Sequence, residues 1–131
     1  MEKEILVREA CKAKAFSYAP YSNFHVGAAL LGESGRIYRG CNIENAAYSP
    51  TNCAERTAIF KAVSEGERKF KAIAIISDKE EYLTPCGVCR QVMAEFCDPK
   101  EFQVIAAKNE TDFRVYLLEE LFPEGFSPEN L

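Results

Sequence analysis

Four residues in this chain have the types and the spacing for metal-assisted acid–base chemistry: Cys53, Glu55, Cys86 and Cys89. Cys86 and Cys89 are three apart, and at the start of a helix that spacing lays two sulfurs on one face, where they can share a tetrahedral metal. Cys53 stands at the start of a second predicted helix. Both helix starts offer a positive dipole end and free backbone N–H groups, which favour thiolate over thiol. A Cys-x-x-Cys pair alone is a modest signal. Joined to a third cysteine at another helix start, it points strongly to a metal.

A structural zinc is closed by four protein ligands, whereas a catalytic zinc keeps a position for water. Cys97 lies two turns beyond Cys89 on the same helix, ~12 Å away at 1.5 Å per residue, too far to close the site. Cys11 and Cys41 fall within a helix and a strand, where free cysteine reads as a small buried hydrophobe. His25 is the only histidine. It could supply a fourth ligand, but its place beside a strand favours an ordinary edge side chain, and so an open metal position. Glu55 follows Cys53 by two residues, an offset of about 200° within a regular helix. Both can address one metal if Cys53 precedes the fully helical backbone. An acid in a first turn also complements the helix dipole, but beside a metal thiolate it becomes a candidate general acid/base.

The elements that must position these residues follow from periodicity and turn chemistry. Apolar residues recur with helical spacing from Glu2 to about Tyr18, ahead of Pro20. Val26–Leu31 and Ile37–Glu44 read as a hairpin across Gly32-Glu33-Ser34-Gly35. A helix is predicted from about Cys53 to Glu65, capped by Thr51 or Asn52 and ended by Gly66. Ala72–Ile76 reads as a buried strand. Thr84 and Pro85 suggest a cap and first position for a helix from Cys86 to about Phe96. Phe102–Ala107 and Phe113–Leu117 complete five strands, with a helical turn near Glu119–Phe122 and a loop-like tail. Alternating helices and strands imply an α/β fold, a three-layer α/β/α sandwich on one mixed five-stranded sheet.

The chain of 131 residues is one domain's worth, with 47% hydrophobic and 27% charged residues, ordinary for a globular protein. No apolar run is long enough to span a bilayer, and Met1-Glu2-Lys3-Glu4 is no export signal, so the expected compartment is the cytoplasm. A net charge of −4 disfavours a polyanionic partner and favours a small neutral substrate. Six cysteines could form three disulfides in a secreted chain, but in a reducing compartment clustered cysteines more often mean metal or catalysis.

Cys53-Ala54-Glu55-Arg56 and Pro85-Cys86-Gly87-Val88-Cys89-Arg90 resemble the zinc nucleobase deaminase signature, with cysteine in place of the first histidine. More narrowly, the chain is similar to the small all-cysteine cytidine deaminases. That likeness runs through Tyr21-Ser22-Asn23-Phe24, Val26-Gly27-Ala28-Ala29-Leu30, Asn42-Ile43-Glu44-Asn45-Ala46 and Phe126. It implies one zinc per chain on Cys53, Cys86 and Cys89, and hydrolytic deamination of cytidine and 2′-deoxycytidine with Glu55 moving the protons. It also implies Arg56 hydrogen-bonded to thiolate, substrate contacts at Phe24, Asn42, Glu44 and Ala54, and a homotetramer in which neighbouring subunits contribute Tyr48 and Phe126. Asn42 and Glu44 alternate along a predicted strand, so amide and carboxylate would share a face suited to ribose hydroxyls. Other readings are a deaminase of another aminopyrimidine nucleoside such as blasticidin S, a structural zinc module, and a thiol oxidoreductase built on Cys86 and Cys89. The ribose-type pair Asn42 and Glu44 argues against the first. Glu55 has no place in the second, and the third cysteine none in the last.

Overall fold

The computed structural model describes residues 2–131. The elements run α1 (Glu2–Lys14), β1 (Val26–Gly32), β2 (Ile37–Cys41), α2 (Ala54–Ser64), β3 (Phe70–Ser77), α3 (Gly87–Phe96), β4 (Gln103–Ala107), β5 (Phe113–Leu117) and α4 (Leu118–Leu121), with a 3-10 turn at Pro128–Asn130. The strands form one sheet in the order β2-β1-β3-β4-β5. Only β3 and β4 are parallel, so the sheet is mixed as expected.

Both faces of the sheet are covered, which is why β1 and most of β3 are apolar throughout instead of alternating with polar residues. Ala28, Leu30, Ile73 and Ile75 point to one side and pack with Ala58 and Ile59 of α2 and Cys89 and Met93 of α3. Ala29, Leu31, Ala72, Ala74 and Ile76 point to the other and pack with Leu6, Val7 and Ala10 of α1. These are the three layers. Among the described residues no helix is long and apolar enough to cross a membrane.

Two glycines set how closely helices approach the sheet. A Cβ on Gly40 would stand 2.3 Å from the Ala54 carbonyl, and one on Gly27 would stand 2.0 Å from that of Ala10. Any side chain at Gly40 would therefore push away the first turn of α2. That turn and the first turn of α3 begin at the edge of the sheet where β3 ends, which puts Cys53, Glu55, Cys86 and Cys89 together at the carboxyl end of a strand. Ligand sites of open α/β sheets favour this edge.

Several boundaries differ from the sequence reading. The first helix stops at Lys14, not Tyr18. Its exit tightens through Ala15, Phe16 and Ser17, each donating three residues back, and Phe16 is left 75% exposed. Tyr18 instead pairs with the 42–44 segment, donating to the Asn42 carbonyl and accepting from Glu44 N–H, so a tertiary ladder overrides local helix periodicity. The second strand ends at Cys41 because β1, its partner, starts at Val26. Asn42 and Glu44 therefore lie past the strand, flanking an isolated bridge residue, Ile43. Neither Thr51 nor Asn52 caps α2, and Thr84 does not cap α3. The caps are Cys53 and Cys86 themselves. Phe102 lies just before β4 and is fully buried, and the last helical turn begins at Leu118.

Candidate active site

Cys53 and Cys86 each hold an N-cap position with extended backbone, φ −73° and ψ 158° for Cys53, φ −68° and ψ 168° for Cys86, and neither side chain caps its own helix. Their sulfurs are thus free to point away while standing at two helix dipole ends. Cys89 is the third residue of α3, one turn from Cys86. The three ligand atoms lie within 4.8 Å of one another, and Cys53 Sγ is 3.8 Å from Cys86 Sγ. Two thiolates bound to one tetrahedral zinc at about 2.3 Å would be separated by about 3.8 Å. No disulfide joins any of the six cysteines.

The cluster is graded from solvent inward: Cys86 is exposed, Cys53 half-buried and Cys89 buried. Without a metal, the Cys89 thiol donates to Cys53 and, with Arg56, holds the Cys53 thiol well below its ordinary value. The same hydrogen bond and burial push Cys89 up. Arg56 donates from Nη2 to Cys53 Sγ at 3.2 Å. Its buried Nε has no partner among the described residues. A guanidinium that donates to one sulfur of the cluster and keeps a spare donor suits a centre whose thiolates leave surplus negative charge. The donor set therefore fits zinc. Among the described residues no fourth cysteine, histidine or carboxylate joins the cluster. Cys97 caps the far end of α3 and is buried. His25 instead meets Ser17 Oγ through Nδ1 at 2.5 Å and Asn23 Oδ1 through Nε2 at 3.3 Å. Cys11 and Cys41 are half-buried, not fully buried.

Glu55, second residue of α2, is only 4% exposed. With Cys53 in the non-helical cap, the two-residue offset no longer forces the side chains apart. Burial pushes the Glu55 carboxyl up to about 7, and the Cys53 thiolate adds to the rise against the pull of its own backbone amide and of Arg56. A carboxyl that gains and loses its proton near neutrality suits a proton shuttle.

The remaining expected residues are each held by contacts of their own, outside the three-cysteine cluster. Asn42 is buried and works as a brace: Oδ1 accepts from Val26 N–H at 2.9 Å and Nδ2 donates to the Phe24 carbonyl at 2.7 Å. One lone pair and one N–H of its amide remain for another partner. Glu44 accepts from the amides of Tyr21 and Ser22 at 3.0 and 3.1 Å and from the Ser22 hydroxyl, which keeps its carboxyl below the usual range. Phe24 packs against the core with Lys79 Nζ 5.1 Å from its ring centre. Ala54 is fully buried. Tyr48 has φ +63°, is 73% exposed, and meets Tyr21 edge-on at 6.3 Å. It lines a depression of about 370 Å³ with Tyr21, Ser22, Glu44, Asn45 and Thr51. Phe126 is 57% exposed and stands in the tail by α3. A larger cleft of about 630 Å³ opens at the opposite edge of the sheet, around Phe70 and Gln103, and contains none of this chemistry.

Sequence reasoning did not assign the Ser22 grip on Glu44, the Lys79 contact with Phe24, or any role for Arg90. Only Arg90 had a signal to follow, its place beside Cys89.

The mixed α/β/α sandwich thus presents three cysteines and a buried glutamate at two helix starts. Residues 1–106 match the family described as the cytidine and deoxycytidylate deaminase zinc-binding region, and the chain belongs to that family. Within it, the chain is 53% identical to a cytidine deaminase of Sporosarcina psychrophila over 100% of this chain and 96% of the relative. It is 48% identical to one of Halalkalibacterium halodurans over 100% and 98%. The crystal structure of cytidine deaminase from Burkholderia pseudomallei superposes with a TM-score of 0.89 at 44% identity, covering 96% of this chain and 100% of that one.

The raised Glu55 carboxyl carries a stability signature in the metal-free protein. A group whose folded pKa exceeds its unfolded one favours folding fully below the unfolded value, and loses that contribution as pH rises through the folded value. A rise from 4.5 to about 7 corresponds, at about 1.4 kcal/mol per unit, to roughly 3 kcal/mol. Chelator-stripped Glu55→Gln should therefore be more stable than stripped wild type at pH 8, by up to that amount. The advantage should shrink steadily as pH falls toward 4.5. Urea titrations at several pH values measure it, and a pH-independent difference would mean that burial does not govern this carboxyl.

Proposed function

We propose that this chain is a zinc-dependent cytidine deaminase that converts cytidine and 2′-deoxycytidine to uridine and 2′-deoxyuridine, in the cytoplasm and in the service of pyrimidine salvage. The observation that carries the reading is a buried Glu55 beside three sulfurs held at zinc-like spacing. Cys53, Cys86 and Cys89 would hold one zinc per chain, and a zinc there supplies the Lewis acidity that makes water a nucleophile near neutral pH.

The chain's own residues supply the rest. Glu55 takes one proton of the attacking water and passes it to ring nitrogen 3, then takes the proton of the new hydroxyl at carbon 4 and passes it to the departing amino group, so that cytidine and water become uridine and ammonia. Arg56 draws charge from the Cys53 thiolate through its 3.2 Å hydrogen bond. Phe24 offers a flat apolar face to the pyrimidine, and Ala54 is the further substrate contact that the family likeness implies. Asn42 and Glu44, braced by Val26, Phe24, Tyr21 and Ser22, read the ribose hydroxyls. An amide and a carboxylate already fixed by other bonds lose little freedom on binding.

Tyr48 and Phe126 are both exposed in one chain. A tyrosine in the left-handed region and an exposed tail phenylalanine are both unfavourable in isolation. Together they support a homotetramer in which these aromatics complete a neighbour's pocket. The whole chain 1–131 acts as one domain in that assembly.

Glu55→Gln should keep zinc and fold while reducing ammonia release from cytidine at least about 100-fold, the usual cost of losing a general acid/base. A coupled ammonia assay alongside metal analysis measures both, and near-normal turnover would mean that the proton shuttle is another group. Sharing of sites has its own test. Phe126→Ala should raise KM for cytidine, and mixed tetramers of Phe126→Ala with Glu55→Gln should recover activity, because some sites then carry both native residues. No recovery after confirmed subunit exchange would confine Phe126 to its own chain.

A further inference from the structure

Arg90 follows Cys89 directly, and no step above uses it. Its guanidinium engages three acceptors: Nε donates to the Pro85 carbonyl at 2.6 Å, Nη2 to the Thr84 hydroxyl at 3.2 Å, and Nη1 to the Leu121 carbonyl. Thr84 and Pro85 deliver Cys86 to the cap of α3. Leu121 is the last residue of α4. Beyond it Phe122 packs on the core, and Gln91 donates from Nε2 to the Phe126 carbonyl at 2.9 Å. Arg90 thus ties the peptide in front of one cluster cysteine to the segment that carries Phe126. Its planar fork can hold several carbonyls at once, whereas the ammonium of lysine is a single point.

We propose that Arg90 is a positioning residue that couples metal retention at Cys86 to the order of the C-terminal tail. The proposal rests on the zinc reading above and adds a link between metal and tail. Zinc fixes Thr84–Cys86, which fixes the guanidinium, which fixes α4 and the tail beyond it. Coupling of this kind is reciprocal, so a steadier tail also slows zinc loss.

Hydrogen exchange of residues 118–131 in zinc-loaded and chelator-stripped protein, with zinc release timed by a chromogenic chelator, tests the link. Stripping zinc from wild type should speed exchange in the tail. Arg90→Ala should release zinc about tenfold faster, in the range seen when partners of metal ligands are lost. Its tail should exchange fast even when loaded and should no longer respond to stripping. Its cobalt-loaded form should show altered sulfur-to-cobalt absorption. Arg90→Lys keeps the charge but not the fork and should fall between the two; it carries the test if the alanine variant does not fold. Gln91→Ala should loosen the Phe126 end and, by the same reciprocity, speed zinc release, but by less than Arg90→Ala does. A wild-type tail indifferent to zinc would overturn the proposal, as would full rescue by lysine, which would reduce Arg90 to a charge. A wild-type protein that binds no zinc would overturn the zinc reading itself, and this link with it.

Discussion

Three sulfurs within 4.8 Å of one another are an arrangement that a protein keeps together only against resistance. As thiolates they repel, and burial of Cys89 makes ionisation costlier still. A divalent cation reverses both terms at once, turning mutual repulsion into shared attraction and deprotonating the thiols outright. Two helix dipole ends and Arg56 lower the cost of assembling the cluster before the metal arrives. The geometry of the rest answers to this need: α2 and α3 must start at the same sheet edge, and Gly40 must carry no side chain if α2 is to reach it.

Glu55 depends on the same constraint. Its place in the first turn of α2 is one residue from the core residue Ala54, and burial there raises its carboxyl. A surface glutamate would be a spectator, ionised at all working pH. Here burial, which opposes charge, and the favourable helix start leave the proton free to come and go near neutrality. The polar side chains of the 42–44 segment are held by bonds to the backbone: Asn42 to Val26 and Phe24, Glu44 to Tyr21 and Ser22. Those bonds preorganise polar groups that would otherwise be mobile on loops.

The sheet and its covering helices were legible because their apolar patterns are strong. Val26–Leu31 read as one strand of a hairpin and Ala72–Ile76 as a buried strand, and Phe113–Leu117 matches the observed fifth strand to the residue. The chemistry was legible because Cys86 and Cys89 are local in sequence, with only Cys53 to be brought from elsewhere. Capping was misread for an instructive reason. The rule favours Ser, Thr, Asn and Asp because their oxygens satisfy first-turn amides, yet Cys53 and Cys86 occupy the cap positions and reserve their sulfurs for the cluster. The end of α1 was hidden because Tyr18 answers to a backbone ladder with residues 42–44, a contact that no local window contains. The Arg90 clasp was hidden likewise, since Leu121 lies 31 residues away.

The central claim is that the three cysteines hold a zinc with one position left open. X-ray absorption at the zinc edge, on protein purified without added metal, measures this directly. The account predicts three sulfurs at about 2.3 Å and one lighter atom at about 2.0–2.2 Å that is not imidazole. Four sulfurs, or three sulfurs with the multiple-scattering pattern of a His25 ring, would contradict it and leave a closed structural site.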